Sequence, residues 1–464
     1  MSQQGRFLTG STMGHVARMT MTGAVGITFV FLVDAANLFW ISLLGEAQLM
    51  AAIGFAFAIQ FFSVSSGIGL MIASTALISR LIGSGDRTLA RMTATGGMIT
   101  AFVIQSAMAL FIFVFRHDLV GMAGATGETA ELAARYLAIS VPSLGIMALS
   151  MIASGALRAH GDGKRSMMVT LTSGGVSMVV DPLLIFGLGM GLDGAAWGLV
   201  LSRFVMLGMA LRFAIGTHDL LAAPRFECVR VSIRPYLTIA IPAVVTQLAT
   251  PVGNYLLTGV MAQYGDEAMA GWAVVGRLTV VAFGGIFSLS GAIGGIFGQN
   301  YGAGRYDRVR QTYRDALLFG FFYSLVTWGL LAVFGGQVAQ VFGLTEMGRD
   351  VVVSFTTIGA GGFIFAGAMF VSNAAFNSLG RPARSSMVNW FRDGVITLPL
   401  AWWLAGLYGA DGVIYAQAAA SVLVGVGAAF WGWHYVSYLA RQTAPDLDLG
   451  PPRAHAHADR FRRR

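Results

Sequence analysis

The sequence predicts an all-α integral membrane protein of twelve transmembrane helices, in two pseudo-symmetric six-helix lobes with both termini cytoplasmic. Three observations carry this. Of the 464 residues, 56% are hydrophobic and only 11% charged, against about 25% charged in soluble proteins. Apolar runs of about 20 residues, the length that crosses a bilayer, recur along the whole chain. The basic residues are also sorted: one alternating set of loops carries 23 Arg and Lys, the other only Arg116 and Arg349. Cytoplasmic loops are the Arg- and Lys-rich ones. The basic set includes both termini, which places them inside.

The runs give spans 1 to 6 at roughly 19–44, 48–78, 92–115, 134–157, 166–188 and 195–215. Spans 7 to 12 follow at 236–262, 268–298, 312–334, 351–376, 386–407 and 413–439. The longest of them tilt or extend past the lipid. Residues 1–18 are polar, and the run after them is too long for a cleaved signal, so span 1 stays as an anchor. The N-lobe is 1–216 and the C-lobe 236–440. Segment 217–235, with Pro224, Arg225, Arg230, Arg234 and Pro235, reads as a cytoplasmic linker. Residues 441–464 read as a disordered basic tail.

The halves repeat one another. LISRLIGSGDRTLAR around Gly83 matches IFGQNYGAGRYDRVR around Gly302, 219 residues later. ALRAHGDGKRSMMV around Gly161 matches AFNSLGRPARSSMV around Gly380, also 219 later, and Asp193-Gly194 matches Asp411-Gly412, 218 later. Six spans per half is an even number, so both halves insert the same way. Such parallel repeats are related by an axis along the membrane normal, and a ligand binds between them near mid-membrane.

Several function classes are excluded. Without a Gly-x4-Gly-Lys-Ser/Thr run the chain has no ATP motor of its own. It has no His-Glu-x-x-His, Cys pair or nucleophile elbow, which argues against an enzyme and against a resident metal or cofactor. The single cysteine, Cys228, allows no intrachain disulfide. The formal net charge of +8 lies in the basic loops and tail, so it speaks for topology and not for nucleic-acid binding.

Three motifs carry a family resemblance: Gly298-Gln299-Asn300-Tyr301-Gly302-Ala303-Gly304 after span 8, Asp181-Pro182-Leu183-Leu184-Ile185-Phe186-Gly187 in span 5 before Gly194-Ala195-Ala196, and Phe39-Trp40-Ile41-Ser42-Leu43-Leu44-Gly45 at the end of span 1. Their order and spacing over roughly 15–440 resemble the multidrug and toxic compound extrusion (MATE) family. The resemblance implies two lobes in a V, alternating access, and export of cationic or amphiphilic small molecules by a monomer in the bacterial inner membrane, driven by inward H⁺ or Na⁺. In the family's DinF-like branch, carboxylates in helices 1 and 5 do the coupling, and both helices carry one here.

Charges inside spans are expensive and mark function by default. Arg135 and Arg212 lie near span ends and reach water. Asp34 and Asp181 each lie 15 residues into their spans, at a depth of about 22 Å. At equal depth the two could share a proton or hold Na⁺ between them, or each could hydrogen-bond a neighbouring helix. Alignment on the family motif puts Asn37 at the usual helix-1 aspartate, with Asp34 one turn earlier. Ser177 replaces an Asn one turn before Asp181 and can donate to it or offer an oxygen to a cation. The family's helix-1 proline is missing, with Thr22 or Gly23 in that region, while span 7 keeps Pro242. Arg203, about 12 Å deep in span 6, is expected to pair with Asp181 or Asp34, as a gate or a clamp. Gln247, Asn254 and Tyr255 are candidates to line the C-lobe cavity, and Arg277 sits where the family often has a polar or basic residue. Arg392 and Asp393, being adjacent, are expected to contact different neighbours in a structural role. The arginines keep a second function open, a flippase for a lipid-linked or amphiphilic precursor. A receptor or scaffold would need large extramembrane domains, which the sequence lacks.

Overall fold

A computed structural model describes residues 5–344 and 346–442; most of the predicted tail lies outside them. The described residues form helices and short turns without strands. Eleven helices are long and apolar enough to span a membrane. They are α1 (Thr12–Ser42), α2 (Gln48–Gly83), α3 (Arg87–Val114), α4 (Gly127–His160), α5 (Gly163–Gly187), α6 (Gly191–Thr217), α7 (Phe226–Tyr264), α8 (Asp266–Gly302), α9 (Tyr306–Val341), α10 (Glu346–Ser378) and, after an intervening element, α12 (Asp411–Arg441). That element, α11 (382–408), is helical throughout but changes register: Pro382–Trp390 is α, Phe391–Ile396 a π turn, and Thr397–Tyr408 α again. None of its pieces alone is long enough to span. Large apolar side chains such as Leu110, Val179, Val326, Trp402 and Phe430 are exposed around the body, as they are in a protein that meets lipid.

Two boundaries differ from the sequence reading. Helix α7 begins at Phe226 and carries Pro235, Pro242 and Pro251 inside it, so half of the expected linker is helix. Intramembrane helices tolerate proline because neighbours re-satisfy the freed carbonyls. Helix α4 begins at Gly127, and a short helix, Arg116–Met122, precedes it. There Arg135, expected only to reach water, pairs with Asp193.

The repeat has a backbone cause. Gly85 and Gly304 have φ of 82° and 69°, and Gly161 and Gly380 have 97° and 88°. These are left-handed turns that end α2, α8, α4 and α10, and glycine enters that region without strain. All lie at the end that carries the basic loops, called here the basic end.

The lobes meet chiefly through α1, α2, α3, α7 and α8, with α1 against α8, α2 against both α7 and α8, and α3 against α7. The contact is reciprocal at the basic end. Arg80 of α2 donates from Nε to the Ser378 carbonyl (2.7 Å) at the end of α10. Gln299, the residue 219 positions later, donates from Nε2 to the Ala159 carbonyl (2.6 Å) at the end of α4. Ala159 and Ser378 are themselves repeat partners. The last carbonyls of a helix have no intrahelical donor and favour such partners. The N-terminal turn is packed here too. Phe7 is 2% exposed, its N–H donates to Gln299 Oε1 (2.9 Å), and Arg308 donates to its carbonyl (3.0 Å). Among the described residues, the remaining interlobe hydrogen bonds also stay in the half of the helices nearer this end. The most distant are Tyr236 Oη to the Leu70 carbonyl (3.0 Å) and Ser288 Oγ to the Thr20 carbonyl (2.9 Å).

The same end holds a charged clasp. Asp162 caps α5 by accepting from the Arg165 N–H (3.0 Å), pairs with Arg165 Nη1 (2.5 Å), and bonds His218 Nε2 (2.7 Å) beyond α6. Burial alone would push the Asp162 carboxyl up. The bonds from His218 and Arg165 win and hold it at about 2. The clasp is therefore fully present above the ordinary carboxylate value of 3.8 and is lost only as pH falls towards 2. Asp162→Ala should cost about 1 kcal/mol for the cap alone, read as a lower Tm. The Tm difference from the parent should stay open at pH 5 and close only in strong acid.

Candidate functional site

Asp181 is 1% exposed at the junction of α1, α5 and α6. It sits just before Pro182, where α5 passes into the π turn Leu183–Gly187. Ser177, one turn earlier on the same face, donates from Oγ to Asp181 Oδ2 (2.7 Å). Asn37 of α1 donates from Nδ2 to the same oxygen (3.1 Å). Asp181 Oδ1 is buried with no hydrogen-bond partner. It faces Gly198 of α6, where an added Cβ would stand 3.0 Å from Asp181 Cγ. A buried carboxylate oxygen without a donor is costly, and that cost falls when a proton or a small cation binds. Among the described residues no three His, Cys, Asp or Glu side chains gather as a metal site.

Arg203 does not pair with Asp181 or Asp34, contrary to the sequence expectation. It is 6% exposed and donates from Nη1 to the Ser140 carbonyl (2.9 Å) and Ser143 Oγ (2.7 Å), and from Nη2 to Gln60 Oε1 (3.1 Å). Two local reasons explain this. A 3₁₀ turn, Val141–Ser143, interrupts α4, so the Leu144 N–H goes to the Val141 carbonyl and the Ser140 carbonyl, without a backbone donor, accepts from Ser143 Oγ (2.7 Å) and Arg203. Arg203 also follows Gly198 by five residues, which turns it about 140° around α6, away from Asp181.

Asp34 is not brought to Asp181 either; Asn37 takes that place. The α5-facing stripe of α1 includes Thr22, Phe29 and Val33, which meet Gly163 and Gly174. Asp34 falls instead on the stripe of Thr20, Gly23 and Ile27, which meets α8 at Ser288 and Gly284. It is half-buried, and among the described residues no base lies within ion-pair distance of it. On α8 the exposed Arg277 lies along the same interlobe stripe as Gly284 and Ser288. On α7, Gln247 is half-buried and Asn254 and Tyr255 are exposed, Tyr255 at 78%. They continue the stripe of Val244, which meets α2 at Gly69. Asp34, Arg277, Gln247, Asn254 and Tyr255 thus lie along the interlobe faces of α1, α8 and α7.

Arg392 and Asp393 contact each other, which also corrects the sequence reading. Arg392 Nε donates to Asp393 Oδ1 (2.7 Å), and the side chains are 13% and 9% exposed. The π turn that contains them rotates less per residue than an α-helix, so neighbouring side chains diverge less. Thr250 of α7 donates to Asp393 Oδ2 (3.3 Å), and a Cβ on Gly253 would lie 2.8 Å from Asp393 Cβ. This pair fastens α11 to α7. Asp393→Ala strands a buried guanidinium and should cost about 3 kcal/mol. Arg392→Met with Asp393→Leu should recover most of that loss in thermal unfolding.

A protein-family model, MatE, matches residues 24–183 and again 242–403. The chain belongs to the MatE family. The two matches start 218 residues apart, close to the spacing of the glycine turns. The chain is 25% identical to a FAD transporter of Shewanella oneidensis over 426 residues, 90% of this chain and 94% of that one. It is 22% identical to the multidrug export protein MepA of Staphylococcus aureus over 400 residues, 84% and 87% of the two chains. In fold it matches a multidrug resistance MATE family transporter of the MOP superfamily in its outward-facing conformation, with a TM-score of 0.88, 21% identity, and coverage of 95% and 100%. A MOP superfamily transporter from Pyrococcus furiosus, described as having a binding pocket of reverse polarity, matches at a TM-score of 0.86 with 22% identity and coverage of 94% and 98%. This MatE chain is therefore a membrane transporter.

Sequence reasoning missed Gly198, Arg80 and Gln299. Gly198 gave no signal among 61 glycines. Arg80 and Gln299 did give one: they occupy the same place in the two repeated loops, three residues before Gly83 and Gly302.

Proposed function

We propose that this MatE transporter exports cationic or amphiphilic small molecules in exchange for H⁺ or Na⁺. It works by alternating access, as a monomer of twelve spans in a bacterial inner membrane with both termini cytoplasmic. Asp181 carries the reading: a buried carboxylate held by Ser177 and Asn37 on one oxygen and free on the other. Such a group binds a proton or Na⁺ at once, and the coupling ion is the only cofactor required. The interlobe hydrogen bonds at the basic end favour a state that opens on the opposite side, and the likeness to MepA favours drug-like cargo.

A second reading, export of an amphiphilic cargo with anionic groups such as a lipid-linked precursor, draws on Arg277 in the cleft and on the likeness to a FAD transporter. Proteoliposomes loaded with a fluorescent organic cation, or in a parallel arm with a flavin nucleotide, separate the two. Cation efflux under an imposed H⁺ or Na⁺ gradient supports the first reading, and the active gradient names the ion. Flavin efflux without cation efflux supports the second. No movement of either under both gradients overturns the exporter reading.

A further inference from the structure

The register between α1 and α8 sets two unpaired charges opposite one another. These helices run antiparallel: six spans, α2 to α7, lie between α1 and α8, and their contacts step in opposite directions. Gly23 meets Ser288, whose Cβ lies 2.9 Å from where a Gly23 Cβ would stand. Four residues back along α8, the Cβ position of Gly284 meets Thr28 Oγ1 at 3.3 Å and Ile27 Cγ2 at 3.8 Å, so Ile27, four residues on from Gly23, borders the same contact. Three further on each helix come Val30 and Val281, and four beyond those come Asp34 and Arg277. Steps of three and four keep each set on one helical face. Asp34 and Arg277 are therefore at the same level and face each other.

They do not touch here because the helices part between Gly284 and Arg277. Phe283 has non-helical angles (φ −105°, ψ 16°) that kink α8. Gly284 is buried, but just beyond the kink Val281 is 59% exposed and Val30 is 41% exposed. Among the described residues, neither Asp34 nor Arg277 has an ion-pair partner. An arginine and an aspartate on facing helices span the gap once those helices approach to the 8–10 Å spacing, roughly, of packed pairs.

We propose that Asp34 and Arg277 form an interlobe ion pair that closes the cleft at the end opposite the basic loops. Arg277 is then the internal competitor for whatever cation Asp34 faces when the cleft is open. The gate is one-sided. The repeat partners of these residues, 219 positions away, are Gly253 and Ala58, which carry no charge. The proposal rests on the alternating-access reading above.

The test places cysteines at Val30 and Val281 in a Cys228→Ala background and follows oxidative cross-linking in membranes, without cargo or gradient. The parent cross-links when the cleft closes. Arg277→Gln should slow the reaction about fivefold or more, and the swap Asp34→Arg with Arg277→Asp should restore it. Among the described residues the exposed Arg277 side chain makes no hydrogen bond, so its loss leaves the fold intact, which size-exclusion profiles check. An unchanged rate in Arg277→Gln, or a swap no faster than the single variant, overturns the gate. The readout needs no transport, so it stands apart from the efflux assay.

Discussion

Asp181→Asn should bring gradient-driven efflux to the liposome background while the protein remains folded. The amide oxygen of Asn still accepts from Ser177 and Asn37, which now donate to Asp181 Oδ2 at 2.7 and 3.1 Å. What disappears is the negative charge and the free oxygen that face Gly198. If Asp181 served only to tie α1 to α5, Asn would do nearly as well and efflux would persist. Gly198→Ala tests the same site from the other side. Its methyl would stand 3.0 Å from Asp181 Cγ and closer still to Oδ1, filling the space a proton or cation needs. Efflux should fall in both variants with normal size-exclusion profiles. Normal efflux in both would remove Asp181 from the coupling step.

Much of this architecture was legible because it rests on local rules. Apolar run length sets the helices, Arg and Lys sort the loops, and left-handed turns demand glycine at repeated places. Depth can be counted from sequence as well, since rise per residue is fixed, yet it is Asn37, three residues beyond Asp34, that meets Asp181. Partnership was not legible. The depth count sets Arg203 near Asp34 and Asp181, yet Arg203 bonds Gln60, Ser140 and Ser143 because a break in α4 takes the backbone donor from the Ser140 carbonyl. That break depends on how three helices pack, which depth cannot report. The Arg392–Asp393 contact likewise needs the π turn Phe391–Ile396, a change of register that no apolar period reveals. Position along a helix can be counted from sequence. Direction around it can be counted only until a kink, a π turn or a 3₁₀ turn resets the count.

The second large effect is expected at the basic end, from Gly83→Ala and Gly302→Ala. A Cβ on Gly83 would stand 2.8 Å from the carbonyl carbon of Gln299, and a Cβ on Gly302 would stand 2.8 Å from the carbonyl carbon of Arg80. Each glycine thus admits the backbone of the other's loop, as expected of two halves related by a twofold axis. The obstacle in both cases is main chain inside a helix, which cannot rotate away as a side chain would. Small residues allow this approach in membranes, and overpacking typically costs about 1–3 kcal/mol. The penalty falls only on the state in which the basic end is shut, so it shifts the balance between states and leaves helix formation alone. It also pulls Arg80 and Gln299 from the Ser378 and Ala159 carbonyls they now reach at 2.7 and 2.6 Å. A cysteine at Ser378, which is 2% exposed here, should react with a maleimide supplied from the basic side about tenfold faster in either glycine variant. Arg80→Gln removes hydrogen bonds but adds no bulk, so its effect should be smaller. Equal labelling in all four proteins would mean that the loops do not separate during transport and that the reciprocal contacts are a permanent hinge.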